Sequence, residues 1–321
     1  MKDIITIFLN WNKAELTIQA IRSILASEKE NTNIIIIDNG SSKGEKSILI
    51  NYAENNHFII IEEDYLNNVF QKNIEYIAKY NNILLLLKHN IGYAAGNNRG
   101  LWLASLLGYK YVLISNNDVF IEQPVLKDLK KVLENYDDIA VIGPKIVSKS
   151  IISQGPFQKP GYINSILVPL FYPIYLILNE LLKNLRYQNL RNHNEGKNIA
   201  IVYRIMGCFM LMKLDAIEKI GYFDENTFLY GEEEILSERL LRIGYRVAYN
   251  PNIQVQHIHA ETTRFLSKYR SFIMQIKSEI YYFKKYRNFN FFSIIIFIIA
   301  QITMNYIWTP LLKIIRNMSR K

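Results

Sequence analysis

Four places in this 321-residue chain set an acid or an imidazole against an apolar run. In residues 111–122 (YVLISNNDVFIE), the apolar Tyr111, Val112, Leu113 and Ile114 stop at Ser115-Asn116-Asn117-Asp118. A carboxylate just past the carboxyl end of a buried strand faces the crevice where open α/β sheets bind ligands, and its oxygens suit a hard cation. Asp38 closes a second run, residues 34–37, and opens Asp38-Asn39-Gly40-Ser41-Ser42. That is the pattern of a nucleotide-binding crevice, without the G-x-G-x-x-G of dinucleotide folds. Glu232, Glu233 and Glu234 stand together ahead of a helical pattern. One carboxylate aimed into a cleft suffices for general-base work, while acids in a first turn also oppose the helix dipole. Val255, His257 and His259 share a strand face by period two, where an imidazole either packs or binds a metal.

The elements that must carry these groups alternate between strand and helix. Residues 4–9 read as a buried strand. Asn12 then reads as a helix N-cap, with Glu15 completing a capping box and Leu16, Ala20 and Ile24 repeating at helical spacing. Residues 58–61 and 83–87 read as strands, and 69–80 has helical spacing. Next comes His89-Asn90-Ile91-Gly92-Tyr93-Ala94-Ala95-Gly96-Asn97-Asn98-Arg99-Gly100, whose small residues let backbone amides approach a phosphate or sugar. Four strand-then-helix alternations by Leu133 predict an α/β fold, a mostly parallel sheet with helices on both faces. Residues 139–142 and 145–147 read as a strand pair, and 203–213 as a strand with Gly207 inside it. Residues 186–197 read as a polar loop, and 246–249 with 253–259 as the closing strands.

Half the residues are hydrophobic and 21% are charged, which excludes a disordered chain and suits a globular enzyme. The single cysteine, Cys208, excludes an internal disulfide and fits a reducing compartment. No basic-then-apolar leader precedes residues 4–9, so the expected location is the cytosol or a cytosol-facing surface. The net charge of +9 is concentrated at Lys284, Lys285, Arg287, Lys313, Arg316, Arg320 and Lys321, around the charge-free residues 288–312. No nucleic-acid motif accompanies these residues, and basic flanks on an apolar segment suit an anionic membrane surface. The segment is long enough to span, but Gln301, Asn305 and Pro310 favour a helix lying in the interface or re-entering it. Residues 160–179 are also charge-free, and Pro160, Pro169 and Pro173 make them an apolar flap or membrane-contacting insertion, not one straight span.

These motifs, in this order, resemble the inverting glycosyltransferases of family 2. Asn10-Trp11-Asn12, the Asp38 turn, the Asn90–Gly100 loop, Asn116-Asn117-Asp118, Gly221-Tyr222-Phe223-Asp224-Glu225, Tyr230-Gly231-Glu232-Glu233 and His257 carry the likeness. It is nearest to the rhamnosyltransferase-like members of bacterial surface-polysaccharide pathways. The resemblance implies a GT-A fold over residues 1–263: a nucleotide-sugar-binding half (1–122) and an acceptor or catalytic half (123–263) with an apolar insertion at 155–200. Residues 264–321 would follow as a membrane-associated helical tail. It implies a nucleotide-diphosphate sugar donor held by Asn10, Asn12, Asp38, Asn39, Asn90, Gly92, Tyr93, Gly96, Asn97, Asn98 and Asn117.

The resemblance further implies a divalent metal, Mg2+ or Mn2+, on Asp118 and His257, and Glu233 or Glu232 as catalytic base. The implied acceptor is lipid-linked or a growing glycan, met at the cytoplasmic face of the membrane, with no nucleic-acid partner. The sequence departs from the family's pattern at Asn116 and Asn117, where acids are common, at Glu233, where Asp is more usual, and at Ile235, where a further acid often occurs. Those departures leave a second expectation open: a membrane scaffold or glycan-binding subunit that keeps the fold without the chemistry. They also leave open which of Glu232, Glu233 and Glu234 is the base.

Overall fold

The computed structural model describes residues 2–28, 32–64, 74–148, 155–181, 199–258 and 268–318. These divide into two compact units, residues 1–157 with 198–278, and residues 158–197 with 279–321.

The first unit is built on one sheet. Its strands are β1 (Lys2–Asn10), β2 (Asn33–Asp38), β3 (Ile59–Glu62), β4 (Ile83–Leu86), β5 (Tyr109–Ser115), β6 (Val119–Phe120), β7 (Ile139–Val147), β8 (Ala200–Val202), β9 (Phe209–Lys213) and β10 (Arg246–His257). They lie in the order β3-β4-β2-β1-β5-β9-β7-β10-β6, with β8 beside β10. Pairing is parallel from β3 to β5 and between β7 and β10; β9, β6 and β8 join antiparallel. Strands covered on both faces become continuous apolar runs, and the pleat divides each run between two cores. Ile34, Ile36, Ile4 and Phe8 face one cluster with helices α1 (Ala14–Ser27), α2 (Lys43–Asn55) and α4 (Leu126–Asn135). Ile35, Ile37, Ile5 and Ile7 face the other, with α3 (Tyr93–Leu106), α5 (Leu214–Lys219) and α6 (Glu232–Arg242).

From β1 the chain steps to β2 on one side and later returns to β5 on the other. That reversal opens a crevice at the carboxyl ends of β1, β2 and β5, the place where α/β sheets take ligands. Asn10 and Asp38 pair in register at its edge.

Several local expectations change. Asn12 is not the N-cap of α1: it adopts φ +53°, Lys13 occupies the cap position without a side-chain capping bond, and Glu45 Oε2 accepts from Ala14 N instead. An acid from α2 thus does the work expected of the capping box. Residues 139–147 are one strand, because the central register of β7 continues through Pro144 against β10. The strand expected over 203–213 begins only at Phe209, since Gly207 lies in a loop against Glu233. The two expected closing strands are one, β10, with a register shift between Asn250 and Gln254. His259 and residues 186–197 lie outside the described residues, as do 69–73; of the rest of 69–80, residues 74–77 form a helical turn.

The second unit is helical. Residues 163–167 form a π-helical turn that runs into Val168–Leu170 and, after a turn at Phe171, Tyr172–Leu181, so this proline-containing segment is helical in pieces and not one regular helix. Phe291–Ile302, a π-helical Thr303–Trp308 and Thr309–Met318 follow one another without a break. Helix Lys268–Arg287 begins in the first unit and ends in the second.

Candidate active site

At the crevice, a chain of buried polar groups ties three loops together. Asn10 Nδ2 donates to Asp38 Oδ1 (3.1 Å) and to Ser41 Oγ (3.1 Å), while its Oδ1 accepts from the Thr17 hydroxyl (2.8 Å). Asn117 Nδ2 donates to the same Thr17 oxygen (3.2 Å), so the loop after β5 is fastened to the end of β1. Asp38 is fully buried; its second oxygen accepts from Ser41 N and lies 3.8 Å from Lys46 Nζ. Asn12 Oδ1 accepts from Ser42 N, which explains its left-handed backbone: Asn tolerates that region and its side chain closes the turn. Asn39 fixes the next loop, donating to Asn90 Oδ1 and Gly92 O and accepting from Ile91 N.

Gly92 has to be glycine. Its φ is +93°, and an added Cβ would stand 2.6 Å from Phe228 O, the same oxygen that accepts from Tyr93 N. Gly96 packs against Leu9 and Asn39. Asn97 donates to Tyr93 O, and its buried Oδ1 has no partner among the described residues. Asn98 clamps Phe223 through both N and O and also reaches Glu225. Of the expected donor-binding residues, Asn39, Asn97 and Asn98 are thus buried braces of the crevice wall, whereas Asn12, Asn90 and Tyr93 are partly exposed.

Asp118 and His257 are 139 positions apart and meet because β6 pairs antiparallel with β10, Val119 opposite His257. Nε2 of His257 lies 3.1 Å from Asp118 Oδ1, with both side chains about 5% exposed. Tyr93 carries this corner across to the Glu trio. Its hydroxyl lies 3.2 Å from Asn116 Oδ1 and 3.0 Å from Gly207 O, while Gly207 N donates to Glu233 Oε1 (3.0 Å). A Cβ on Gly207 would fall 2.4 Å from that oxygen, so the glycine lets the carboxylate reach the backbone. Asn116 N donates to Cys208 O from the other direction.

The electrostatics record the same convergence. Burial raises the Tyr93 phenol well above its ordinary pKa, and the negative charges of Glu233, Glu232 and Asp118 add to it. Burial, then Asp118 and Glu233, raises the Cys208 thiol in the same way, which leaves it an un-ionised packing residue. Gly207 and Cys208 were not singled out as site residues from the sequence. Their signal was present as a glycine interrupting an apolar run, which marks close backbone approach.

The three glutamates differ. Glu234 is 2.9 Å from Arg204 Nε, and Arg204 stacks over the Phe157 ring. Glu233 is half-buried and oriented by Gly207. Glu232 is 5% exposed, its Oε1 has no hydrogen-bond partner among the described residues, and burial followed by the charge of Glu233 raises its pKa well above the ordinary carboxylate value. A carboxyl neutral in the fold and ionised in the unfolded chain binds more protons when folded, so stability falls as pH rises past the ordinary carboxylate value. Glu232→Gln is expected to match the parent's melting temperature in acid and exceed it by a growing margin toward neutral pH. Parallel melting profiles for the two proteins would remove this account of Glu232.

Among the described residues no cluster of three His, Cys, Asp or Glu side chains stands ready for a metal. Asp118 and His257 supply one carboxylate and one imidazole. That donor set fits an ion of the Mg2+ or Mn2+ type, which one or two protein groups hold while substrate phosphates complete its shell.

Comparison with known proteins gives the following. A family model described as Glycosyl transferase family 2 matches residues 3–221. Poly-beta-1,6-N-acetyl-D-glucosamine synthase of Staphylococcus aureus is 26% identical over 265 residues, covering 81% of this chain and 51% of the synthase. The chain therefore spans about half the length of the curated relatives it matches. Among solved structures, a mannosyltransferase from Pyrobaculum calidifontis in complex with GDP-Man and Mn2+ superposes with TM-score 0.55 at 13% identity, over 92% of this chain and 73% of that one. GalNAc-T7 with UDP, GalNAc and Mn2+ gives TM-score 0.57 at 11% identity, over 89% and 49%. These two likenesses show the fold.

Proposed function

This chain belongs to glycosyl transferase family 2, and on that premise we propose that it is an inverting enzyme using a nucleotide-diphosphate sugar. The acceptor is a lipid-linked or growing bacterial surface polysaccharide. The observation that carries this reading is the convergence at Tyr93: Asn116, beside Asp118, lies on one side of its hydroxyl, and Gly207, which orients Glu233, on the other.

In the mechanism, the crevice rim at Asn12, Asn90 and Tyr93 receives the donor, and the turn braced by Asp38 and Asn10 shapes its nucleotide end. Asp118 and His257 would hold a divalent ion, whose positive charge would offset the negative charge that the departing diphosphate gains. Glu233 accepts the proton of the acceptor hydroxyl as it attacks the face of the sugar opposite the leaving group. One displacement of that kind inverts the anomeric configuration. Glu232, held neutral, is not the base, and Glu234 is committed to Arg204.

The relative's polysaccharide product favours a glycan acceptor, and the Mn2+ of both structural neighbours favours a divalent ion. Residues 291–315 form a helix long and apolar enough to cross a membrane, with mean hydropathy 1.8 over an 18-residue window, which supports membrane association; the cytoplasmic face is part of the proposal. The test is a screen of UDP- and GDP-sugars for release of nucleoside diphosphate with Mn2+ or Mg2+. At least one donor is expected to turn over, and chelation by EDTA to stop it. Calorimetry that finds no nucleoside diphosphate bound with either metal would leave the scaffold reading instead.

A further inference from the structure

We propose that Ser278 is a positioning residue for the catalytic base: from the helix Lys268–Arg287 it holds the turn at residues 229–231 in the conformation that delivers Glu233 to Gly207. The proposal deepens the reading above and rests on it.

The helix that carries the base starts from two consecutive left-handed residues, Tyr230 at φ +70° and Gly231 at φ +84°. Glycine enters that region freely, but a residue as bulky as tyrosine stays there only where its surroundings hold it. Gly231 is the N-cap of α6, and its carbonyl accepts from Ile235 N. Glu232 and Glu233 are the first two residues of that helix, so the path through the turn sets where their side chains leave the backbone.

Two bonds hold the turn, on successive carbonyls. Tyr93 N donates to Phe228 O (2.8 Å), which ties it to the start of α3. Ser278 Oγ donates to Leu229 O (2.9 Å) across 49 positions of sequence. A serine inside a helix ordinarily bonds back to its own preceding turn or faces water. Ser278 is 5% exposed and reaches out of its helix instead. The Leu229 carbonyl belongs to the peptide that precedes Tyr230, so turning Tyr230 out of the left-handed region swings that oxygen away from Ser278. Gly231 packs on the same residue, since a Cβ built there would stand 3.4 Å from Ser278 Cβ. Ser278 thus meets the turn on both sides of Tyr230.

Glu233 is thereby fixed at its backbone by this turn and at its carboxylate by Gly207 N. Ser278 lies beyond residues 3–221, which the family model matches, and is the last residue of the first unit. A helix outside the region of family likeness therefore supports the base.

Ser278→Ala in the full chain tests this. Amide exchange over residues 229–235 should accelerate while that over residues 34–37, in the centre of the sheet, keeps the parent's rate. Release of nucleoside diphosphate, from whichever UDP- or GDP-sugar the parent turns over, should fall about 30-fold in kcat at unchanged donor KM, within the roughly 10²-fold that a misplacement of about 1 Å costs. In a Glu233→Gln background the same substitution should cost less than about threefold, because residues that act as a unit are not additive. Ser278→Cys fills the same space with a weaker donor and is read in its place should Ser278→Ala melt too low to assay. Parental exchange and kcat, with turnover lost in Glu233→Gln, would overturn the role of Ser278 and leave the base standing. An equal loss in both backgrounds would overturn it too, by placing the hydroxyl's effect elsewhere than on Glu233. Full turnover in Glu233→Gln would instead remove the base, and this proposal with it.

Discussion

Glu233→Gln should lower kcat by about 10³-fold, within the range that a positioned general base contributes, with little change in donor KM. The expectation follows from how the three acids are held. A base must be ionised and free to take a proton. Glu232 is kept neutral by burial and by its neighbour's charge, and Glu234 is paired with Arg204. Glu233 alone is half-exposed and aimed, one oxygen receiving Gly207 N and the other without a protein partner among the described residues. Glutamine retains a carbonyl oxygen for Gly207 N, so the substitution removes basicity and leaves the helix start in place. Glu234→Gln is the control: a partly exposed ion pair contributes little to stability and nothing to proton transfer, so its kcat should stay within about threefold of the parent. If Glu232→Gln were the variant that lost turnover and Glu233→Gln retained it, the base would be the buried acid and the orienting role of Gly207 would fall.

How much of this could be read from the sequence depended on range. Apolar runs closed by polar turns, with an acid after β2 and β5, marked β1, β2 and β5 and the crevice at their ends, because period and burial are local properties. Asp118 could be marked by its position after a strand, but its meeting with His257 required the antiparallel β6–β10 pairing, which joins segments far apart in the chain. The Asn-rich loop at 90–98 looked uniformly like ligand-binding backbone. Folding divides it, with Asn98 turned away to clamp Phe223 and Tyr93 turned toward Gly207. Asn12 misled because Asn serves equally as a helix cap and as a left-handed turn residue, and the choice was made by Ser42 on another loop. The capping that α1 lost was supplied by Glu45, 31 positions away, and no window on the sequence contains both.

Asp118→Ala should reduce turnover by about 10³-fold as well, but by a different route, and a binding measurement separates the two. Charge neutralisation by a bound cation is worth several kcal/mol to a departing diphosphate, and about 4 kcal/mol corresponds to that factor. The two residues before Asp118 do not share its burden: Asn116 Oδ1 lies against the Tyr93 hydroxyl and Asn117 donates to Thr17. Among the described residues only Asp118 presents a carboxylate beside His257, so its removal leaves one imidazole, too few protein ligands to fix a hard cation. The variant should therefore bind nucleoside diphosphate in Mn2+ no more tightly than in EDTA, whereas Glu233→Gln should keep the full metal-dependent gain. Asp118→Asn keeps an oxygen opposite His257 Nε2, and melting at the parent's temperature would show that lost turnover is not lost fold. An Asp118→Ala enzyme whose nucleotide affinity still rises with Mn2+ would place the cation on other residues, and with it the leaving-group side of the crevice.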